Sequence, residues 1–252
     1  MIRHVVACFV ALLICAMAAA PVEATQATLT YLNNIDPGAI VDLDAPINAY
    51  GWAGQYQFEV TATDDENLIP LGQLGAYCID LAQEPDGSST YTLVPLTQAP
   101  VPPQYGTSAI TGAQETQLKK LWSRHHGEIG SDLTKDFLAA SFNLAVWEII
   151  YEHSGALNAK TGTFRTGGGT WSGHPPTPDM AAQANEWLGD LGSWQVGEEM
   201  PDLRALVNPT HQDMLYIIVG GGDTYVPEPL TMLGMFLGLG SVGAYIRRRR
   251  MA

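Results

Sequence analysis

Charge and cysteine are both scarce in this 252-residue chain, which has three cysteines and 15% charged residues. No Lys or Arg occurs between Thr25 and Pro103, where there are ten acidic residues, and the net charge of the whole chain is −14. A negative surface repels phosphate backbones, so the composition argues against a nucleic-acid partner. The sequence also has no internal repeat, and its length is sufficient for one or two domains with a sizeable core.

Residues 1–24 are typical of a secretory signal peptide. Arg3 supplies a basic tip, an apolar run follows over residues 5–20, and small residues two positions apart precede Thr25. We predict that signal peptidase cuts after Ala24 and that the rest of the chain is exported. The alternative is an uncleaved N-terminal membrane anchor, against which Pro21 and the alanine-rich end of the run argue.

A second uncharged run covers residues 230–246, close to the C-terminus. As a helix it is roughly 26 Å long, which is just enough for a hydrocarbon core of about 30 Å. We therefore predict a transmembrane helix whose flanking arginines stay on the cytoplasmic side and place the preceding domain outside the inner membrane. An ordinary tail anchor also explains this pattern. The arginines are Arg247, Arg248, Arg249 and Arg250.

The residues before this run are Pro227, Glu228 and Pro229. A Pro-Glu-Pro motif, an apolar span and an arginine cluster in this order resemble the PEP-CTERM sorting signal of Gram-negative bacteria, here over residues 227–250. The resemblance implies recognition and cleavage near Pro-Glu-Pro by an exosortase, a membrane enzyme. It also implies transient anchoring in the inner membrane and a final place at the cell surface or in a biofilm matrix.

Residues 25–219 are expected to form one extracytoplasmic domain, joined to the sorting signal by a glycine-rich tether at residues 220–226. Turn signals such as Asp36-Pro37-Gly38 separate short runs rich in β-branched and aromatic residues. These runs predict strands at residues 28–32, 55–62, 76–81, 90–96 and 214–219.

Apolar residues at helical spacing predict three helices between the fourth and fifth of these strands. The first covers residues 112–126, the second begins after Thr134 as its cap and stops at Gly155, and the third runs from Asp179 to Gly192. The second is apolar nearly all round, as expected of a core helix. The predicted fold class is therefore α+β, a sheet or barrel-like domain with an inserted group of about three helices, plus the C-terminal transmembrane helix.

Only one cysteine, Cys78, remains if the signal peptide removes Cys8 and Cys15. An unpaired cysteine in an oxidising compartment can oxidise or cross-link, so its presence needs an explanation. Cysteine also serves as a small hydrophobe on the inner face of a strand. Because its neighbours are apolar, we predict that Cys78 is a buried, unreactive thiol with a raised pKa.

Two segments carry a resemblance to the Cys-Gln thioester domains of bacterial surface proteins, which extends over residues 50–191. They are the strand Tyr77-Cys78-Ile79-Asp80 and the helix segment ending in Ala145-Val146-Trp147-Glu148. In that family the cysteine sulfur is joined to the side-chain carbonyl of a glutamine four residues before the tryptophan. Ammonia leaves when the bond forms, and the thioester then acylates an amine on a target surface.

The corresponding glutamine position is occupied by Asn143, whose side chain is one methylene shorter. Ring closure requires the reacting atoms to be placed within about 1 Å, so this change favours a scaffold without the reactive bond. The expected protein is an exported, non-enzymatic surface or matrix protein that needs no cofactor. A covalent adhesin with a Cys78–Asn143 thioester and an amine-bearing target is the alternative.

Other chemistry has weaker support in the sequence. His125, His126, His153, His174 and His211 lack metal-ligand spacing and are expected to be solvated, and no metal site is predicted. A cysteine-dependent enzyme lacks a local nucleophile motif around Cys78. The acidic pairs near Asp42 and Asp65 lack the alternation of a calcium loop. Extracellular polysaccharide remains a candidate partner if Trp52, Trp171 and Trp194 are exposed.

Overall fold

The computed structural model describes residues 24–105, 108–130, 134–153, 155–167, 179–192 and 200–218. Seven strands and three α-helices lie within these ranges. The strands are β1 (Gln26–Ala45), β2 (Ala49–Thr63), β3 (Gly72–Cys78), β4 (Ser88–Pro95), β5 (Arg165–Thr166), β6 (Leu203–Val207) and β7 (Met214–Ile217). The helices are α1 (Gly112–His125), α2 (Lys135–Tyr151) and α3 (Met180–Gly189).

Six of the strands form a closed antiparallel barrel. Their order is β2-β3-β7-β6-β4-β1, and pairing of β1 with β2 closes the ring. The short β5 pairs with the far end of β1 and lies outside the ring. The helices are inserted between β4 and β6, so the expected α+β, barrel-like fold with about three helices is confirmed.

Strand β1 is much longer than the sequence predicts. Asp36-Pro37-Gly38 was expected to be a turn between strands but lies inside β1, where the register against β2 shifts near Ile35 and Gly38. A bulge leaves residues without a ladder partner, and for this reason it accommodates a proline that cannot donate. Turn residues therefore bend β1 here without ending it. Its first part also pairs with β4, which lets one strand close the barrel from both sides.

Strands β5 and β6 were missed at the sequence level. The β6 segment Leu-Arg-Ala-Leu-Val contains only one β-branched residue, and β5 has two residues. Pairing with β4 on one side and β7 on the other places β6 in the barrel, so tertiary context supplies what local propensity lacks. The predicted strand over residues 76–81 ends at Cys78, and the chain leaves the ladder there.

The three predicted helices are present, with differences at their ends. Thr111 caps α1 through a capping box with Gln114, and Asp179 caps α3 by accepting from the Ala182 amide at 3.1 Å. Thr134 precedes α2 as expected, but its side chain makes no capping hydrogen bond. Its backbone is already helical there, which is not the extended conformation of a capping residue.

Helix α2 occupies the core, as its apolar pattern predicts. Every residue from Ala139 to Tyr151 is buried, and the helix packs against β1 and β2 on one side and against α1 and α3 on others. Neutral polar and acidic side chains on this helix are therefore buried together with the apolar ones. Their hydrogen bonds define the candidate site.

Several sequence predictions fall outside the described residues. These are the signal-peptide residues 1–23, the tether, the sorting motif Pro227-Glu228-Pro229, the span 230–246, the arginines 247–250, Trp171 and Trp194. Among the helices that the structure describes, none combines the length and the apolar character needed to cross a membrane.

Candidate functional site

Cys78 is the last residue of β3 and has no exposed surface. Its Sγ donates to the backbone oxygen of Asp80 at 3.3 Å. Burial raises the pKa of the thiol far above its usual value, because a thiolate loses its hydration in this environment. The prediction of a buried, unreactive thiol is confirmed for burial and for the direction of the pKa shift.

Asn143 and Trp147 on α2 both bind the backbone carbonyl of Cys78. The Asn143 Nδ2 donates to this oxygen at 3.0 Å, and the Trp147 Nε1 donates to it at 2.9 Å. Residues four positions apart lie on one face of a helix, so the two donors reach the same oxygen. The structure thus brings together the cysteine, the asparagine and the tryptophan that the sequence resemblance pairs.

The side-chain oxygen of Asn143 also makes a hydrogen bond. Its Oδ1 accepts from the backbone amide of Gly54 on β2 at 3.1 Å. Gly54 has φ +142°, and a Cβ there would lie 2.4 Å from the Pro37 oxygen, so only glycine fits this position. One buried amide therefore joins α2 to β2 and β3 and has its carbonyl and amino groups both engaged.

Tyr151 extends this arrangement by one further helical turn. Its hydroxyl donates to the Ile79 oxygen at 2.8 Å and accepts from the Leu81 amide at 3.1 Å. Asn143, Trp147 and Tyr151 follow one another at spacings of four residues and hold residues 78–81 after β3 ends. We call these three side chains the α2 ladder. Tyr151 was not among the residues predicted from the sequence, although its spacing from Trp147 was a usable signal.

Tyr77 and Glu148, two other residues of the resembling motifs, make their contacts with other parts of the core. Tyr77 packs with its ring centroid 5.0 Å from that of Phe142, next to Trp122 on α1. Glu148 accepts from the backbone amide of Asn158 at 2.6 Å and so holds the loop after α2. Because successive residues of a strand or helix face different directions, these two side chains support the core on other sides of the site.

Glu148 is fully buried, and its second oxygen has no hydrogen-bond partner within the described residues. Burial raises its pKa to about 8, and the neighbouring carboxyl of Glu152 adds to this effect. Glu152 accepts from the Thr163 amide at 2.7 Å and from the Thr163 hydroxyl at 2.9 Å. We call Glu148 and Glu152 the carboxyl pair.

Gln212, in the segment before β7, lies beside Cys78 and had no signal in the sequence. Its Nε2 donates to the Asp80 backbone oxygen at 3.1 Å, which is the same oxygen that accepts from the Cys78 sulfur. Gln212 is 6% exposed, and its Oε1 has no hydrogen-bond partner within the described residues. A glutamine amide is therefore near the thiol, but it comes from a strand connection and not from the helix.

Two buried carboxyl groups flank the same turn. Asp80, which the motif pointed to, accepts from the Ala82 amide at 2.7 Å, and burial raises its pKa. Asp213, which was not predicted from the sequence, accepts from the Asn208 amide at 2.7 Å, and burial raises its pKa to about 7. Both carboxyls accept backbone hydrogen bonds, so their first role is to shape the turn around Cys78.

The expectation that the histidines are solvated is wrong for two of them. His125 is 6% exposed, stacks on Trp187 and places its Nδ1 2.7 Å from a Glu128 oxygen. His126 stacks on Trp122 at 3.9 Å, and burial lowers its pKa to about 4. His125 is buried between α1 and α3, whereas His126 is half-buried and packs on Trp122 of α1 and Phe142 of α2. No group of three or more metal-ligating side chains occurs among the described residues.

Comparisons of the chain with protein-family models, with curated proteins and with solved structures found no match. The resemblances to a sorting signal and to thioester domains therefore stay predictions.

Proposed function

We propose that this chain is an exported bacterial surface or matrix protein whose domain is a thioester-domain-like scaffold without catalytic activity. The proposal rests on the hydrogen bonds at both ends of the Asn143 side-chain amide. Its oxygen accepts from Gly54 on β2, and its nitrogen donates to the Cys78 oxygen on β3. The residue at the glutamine position thus acts as a structural cross-link.

Thioester formation at Asn143 would work against this cross-link. The reaction joins the Cys78 sulfur to the side-chain carbonyl carbon and releases the Nδ2 nitrogen as ammonia. The bond from Nδ2 to the Cys78 oxygen would be lost in the core, where an unmade hydrogen bond costs about 1–3 kcal/mol. The sulfur itself is directed to the Asp80 oxygen. These contacts favour an intact amide and a free thiol.

A free thiol in an exported protein must be protected from oxidation. Cys78 has no exposed surface, and its thiolate form is strongly disfavoured. Since the thiolate is the reactive species, both properties make the residue inert outside the reducing cytoplasm. A free Cys78 is therefore compatible with export, for which the signal peptide and the sorting signal are the sequence arguments.

Intact mass of the mature protein tests the scaffold proposal. A free Cys78 gives the mass expected from the sequence, and the denatured protein takes up one equivalent of an alkylating reagent at once. Cys78→Ala is the matched control and takes up none. A mass that is one ammonia lower in the native protein, but not in Cys78→Ala, would overturn the scaffold proposal.

A second candidate function is a covalent adhesin, and one observation favours it. The Gln212 amide and the Cys78 sulfur share the Asp80 oxygen, so a glutamine is available where the helix supplies only Asn143. If the ammonia deficit is found, Gln212→Ala and Asn143→Ala identify the acyl donor, because only the variant lacking it regains the full mass. An amine-bearing target surface would then be the partner.

Sorting is tested separately from the scaffold. We expect that replacing Pro227-Glu228-Pro229 with alanines leaves full-length protein in the inner membrane, while the native chain is shortened by an exosortase. A native mature protein that retains Arg247–Arg250 would contradict cleavage and support an ordinary tail anchor.

A further inference from the structure

His125, the last residue of α1, has one ring nitrogen bonded and the other without a hydrogen-bond partner. Its Nδ1 lies 2.7 Å from one Glu128 oxygen, and the other oxygen of this carboxyl accepts from the Trp187 Nε1 at 3.1 Å. The ring also stacks on Trp187 of α3, with 5.3 Å between the ring centroids. Its Nε2 is buried and has no hydrogen-bond partner within the described residues. These contacts fix the orientation of a ring whose second nitrogen is unused.

The Asp190 carboxylate, directly after α3, faces this second nitrogen. Its Oδ2 lies 3.9 Å from the His125 Nε2, which is too long for a hydrogen bond. The Asp190 side chain is 65% exposed, and in the part of the chain that the structure describes its carboxylate accepts no hydrogen bond. The histidine nitrogen and the carboxylate oxygen therefore lie close together without being bonded.

The contact with Glu128 decides which nitrogen of His125 carries the proton. A carboxylate only accepts, so Nδ1 donates, and a neutral imidazole then presents a lone pair at Nε2. This lone pair and the Asp190 carboxylate face each other across 3.9 Å. Two electron-rich groups at this distance repel each other unless a positive species lies between them.

The geometry suits a metal ion of the zinc class. Zinc bonds of about 2.0–2.2 Å place two ligands of a tetrahedral site about 3.4 Å apart, so the exposed Asp190 carboxylate needs to move by only about 0.5 Å. A histidine that binds a metal usually donates its other N–H to a carboxylate, which is the position of Glu128. Calcium and magnesium prefer oxygen ligands, so the imidazole favours zinc over both.

The turn after α3 is itself held against α1. The Lys120 Nζ donates to the Leu191 backbone oxygen at 3.2 Å, and the Arg124 guanidinium donates to the backbone oxygen of Asp190. These contacts fix the backbone that carries the Asp190 carboxylate. A ligand at this site therefore binds at a smaller entropic cost than on a loose loop.

We propose that His125 and Asp190 bind a divalent metal ion of the zinc class, with water molecules completing its coordination. Glu128 orients the imidazole, and the ion joins the end of α1 to the turn after α3. Two protein ligands are fewer than the three or four of permanent zinc sites, so the ion exchanges with the metal supply. This inference goes beyond the proposed function and involves neither Cys78 nor the α2 ladder.

The test uses the full chain in detergent, treated with EDTA and desalted, and zinc sulfate as the probe. Calorimetry should show one site in the micromolar range, and calcium chloride should not compete for it. Asp190→Asn and His125→Gln should each weaken zinc binding by at least about tenfold, because each removes a ligand. Glu128→Gln should weaken it by about tenfold, since loss of the carboxylate behind a ligating histidine costs about 10–100-fold.

Thermal unfolding supplies a second readout. Zinc should raise the Tm of the native protein and leave that of Asp190→Asn unchanged, because a ligand stabilises only the state that binds it. Asp190 is exposed, so this variant keeps the fold even if His125→Gln does not. The matched control is His211→Gln, which alters a histidine next to Ser89 and Thr210 and should leave zinc binding unchanged.

Two results would overturn the inference. One is the absence of saturable binding up to about 100 µM zinc, which would mean that a proton and not a metal ion lies between the two side chains. The other is binding that Asp190→Asn leaves unchanged. Neither result bears on the proposed function, because the mass and sorting of the native protein do not depend on this site.

Discussion

Helix α2 buries polar side chains on two of its sides. Toward β3, the α2 ladder of Asn143, Trp147 and Tyr151 uses neutral groups that bind backbone atoms. Toward the loop after the helix, the carboxyl pair of Glu148 and Glu152 binds backbone amides, and one Glu148 oxygen has no hydrogen-bond partner within the described residues. Neutral groups stabilise the fold at every pH, whereas a buried carboxyl makes stability depend on its proton.

The largest expected effect comes from removing the centre of the α2 ladder. Trp147→Ala leaves a cavity at a residue that is 1% exposed and removes a donor from the Cys78 oxygen. The free energy of unfolding should fall by about 3–5 kcal/mol. Urea unfolding followed by far-UV circular dichroism measures it. A loss below about 1 kcal/mol would show that Trp147 is not buried beside the Cys78 oxygen as described.

Asn143→Asp places a carboxyl group in the α2 ladder, so that this position resembles the carboxyl pair. At neutral pH the new carboxylate cannot donate to the Cys78 oxygen. We therefore expect the free energy of unfolding to fall by about 3 kcal/mol. A protonated aspartic acid can donate to that oxygen, so the loss should shrink as pH falls toward 4. The same loss at both pH values would contradict this role of the amide nitrogen.

Tyr151→Phe removes a single hydroxyl from the ladder. The Ile79 oxygen and the Leu81 amide each lose a partner, while the ring stays in place. We expect the free energy of unfolding to fall by about 1–3 kcal/mol. The matched control is Tyr105→Phe, which alters a half-buried ring next to Tyr151 and should change stability by less.

The smallest expected effect is a pH dependence of stability that the carboxyl pair causes and the α2 ladder does not. Folding raises the pKa of Glu148 from 4.5 to about 8, so the folded state binds more protons in between, and stability falls as pH rises through this range. Asp213, with its pKa raised to about 7, contributes in the same direction, while the lowered pKa of His126 destabilises the fold as pH falls from 6.5 toward 4.

Glu148→Gln should therefore be compared with the native protein between pH 7 and 8, where Glu148 is the main group still losing its proton. The free energy of unfolding of the native protein should fall by about 1 kcal/mol from pH 7 to pH 8, since each proton contributes at most about 1.4 kcal/mol per pH unit. The glutamine variant keeps an acceptor for Asn158 and should lose less. Equal slopes for both proteins would show that Glu148 ionises normally in the fold.

Much of the core could be predicted from local pattern. The nearly all-round apolar character of residues 137–150 predicted a buried helix, and apolar neighbours predicted burial of Cys78. These features depend on residues a few positions apart, so the sequence displays them directly. The first part of β1 was predicted as a strand over residues 28–32, but Asp36-Pro37-Gly38 was misread because a bulge and a turn use the same residue types.

By itself, the sequence determined which segments become helices, that the apolar helix α2 and Cys78 avoid water, and that Asn143 stands four residues before Trp147. Only the tertiary structure decided what surrounds the thiol. Gln212 and Asp213 reach Cys78 because β7 pairs with β3, and closure of the barrel sets that pairing. Contacts between distant segments depend on how strands register around the whole ring, and the free energy that fixes the register is spread over many residues, so no local pattern records it.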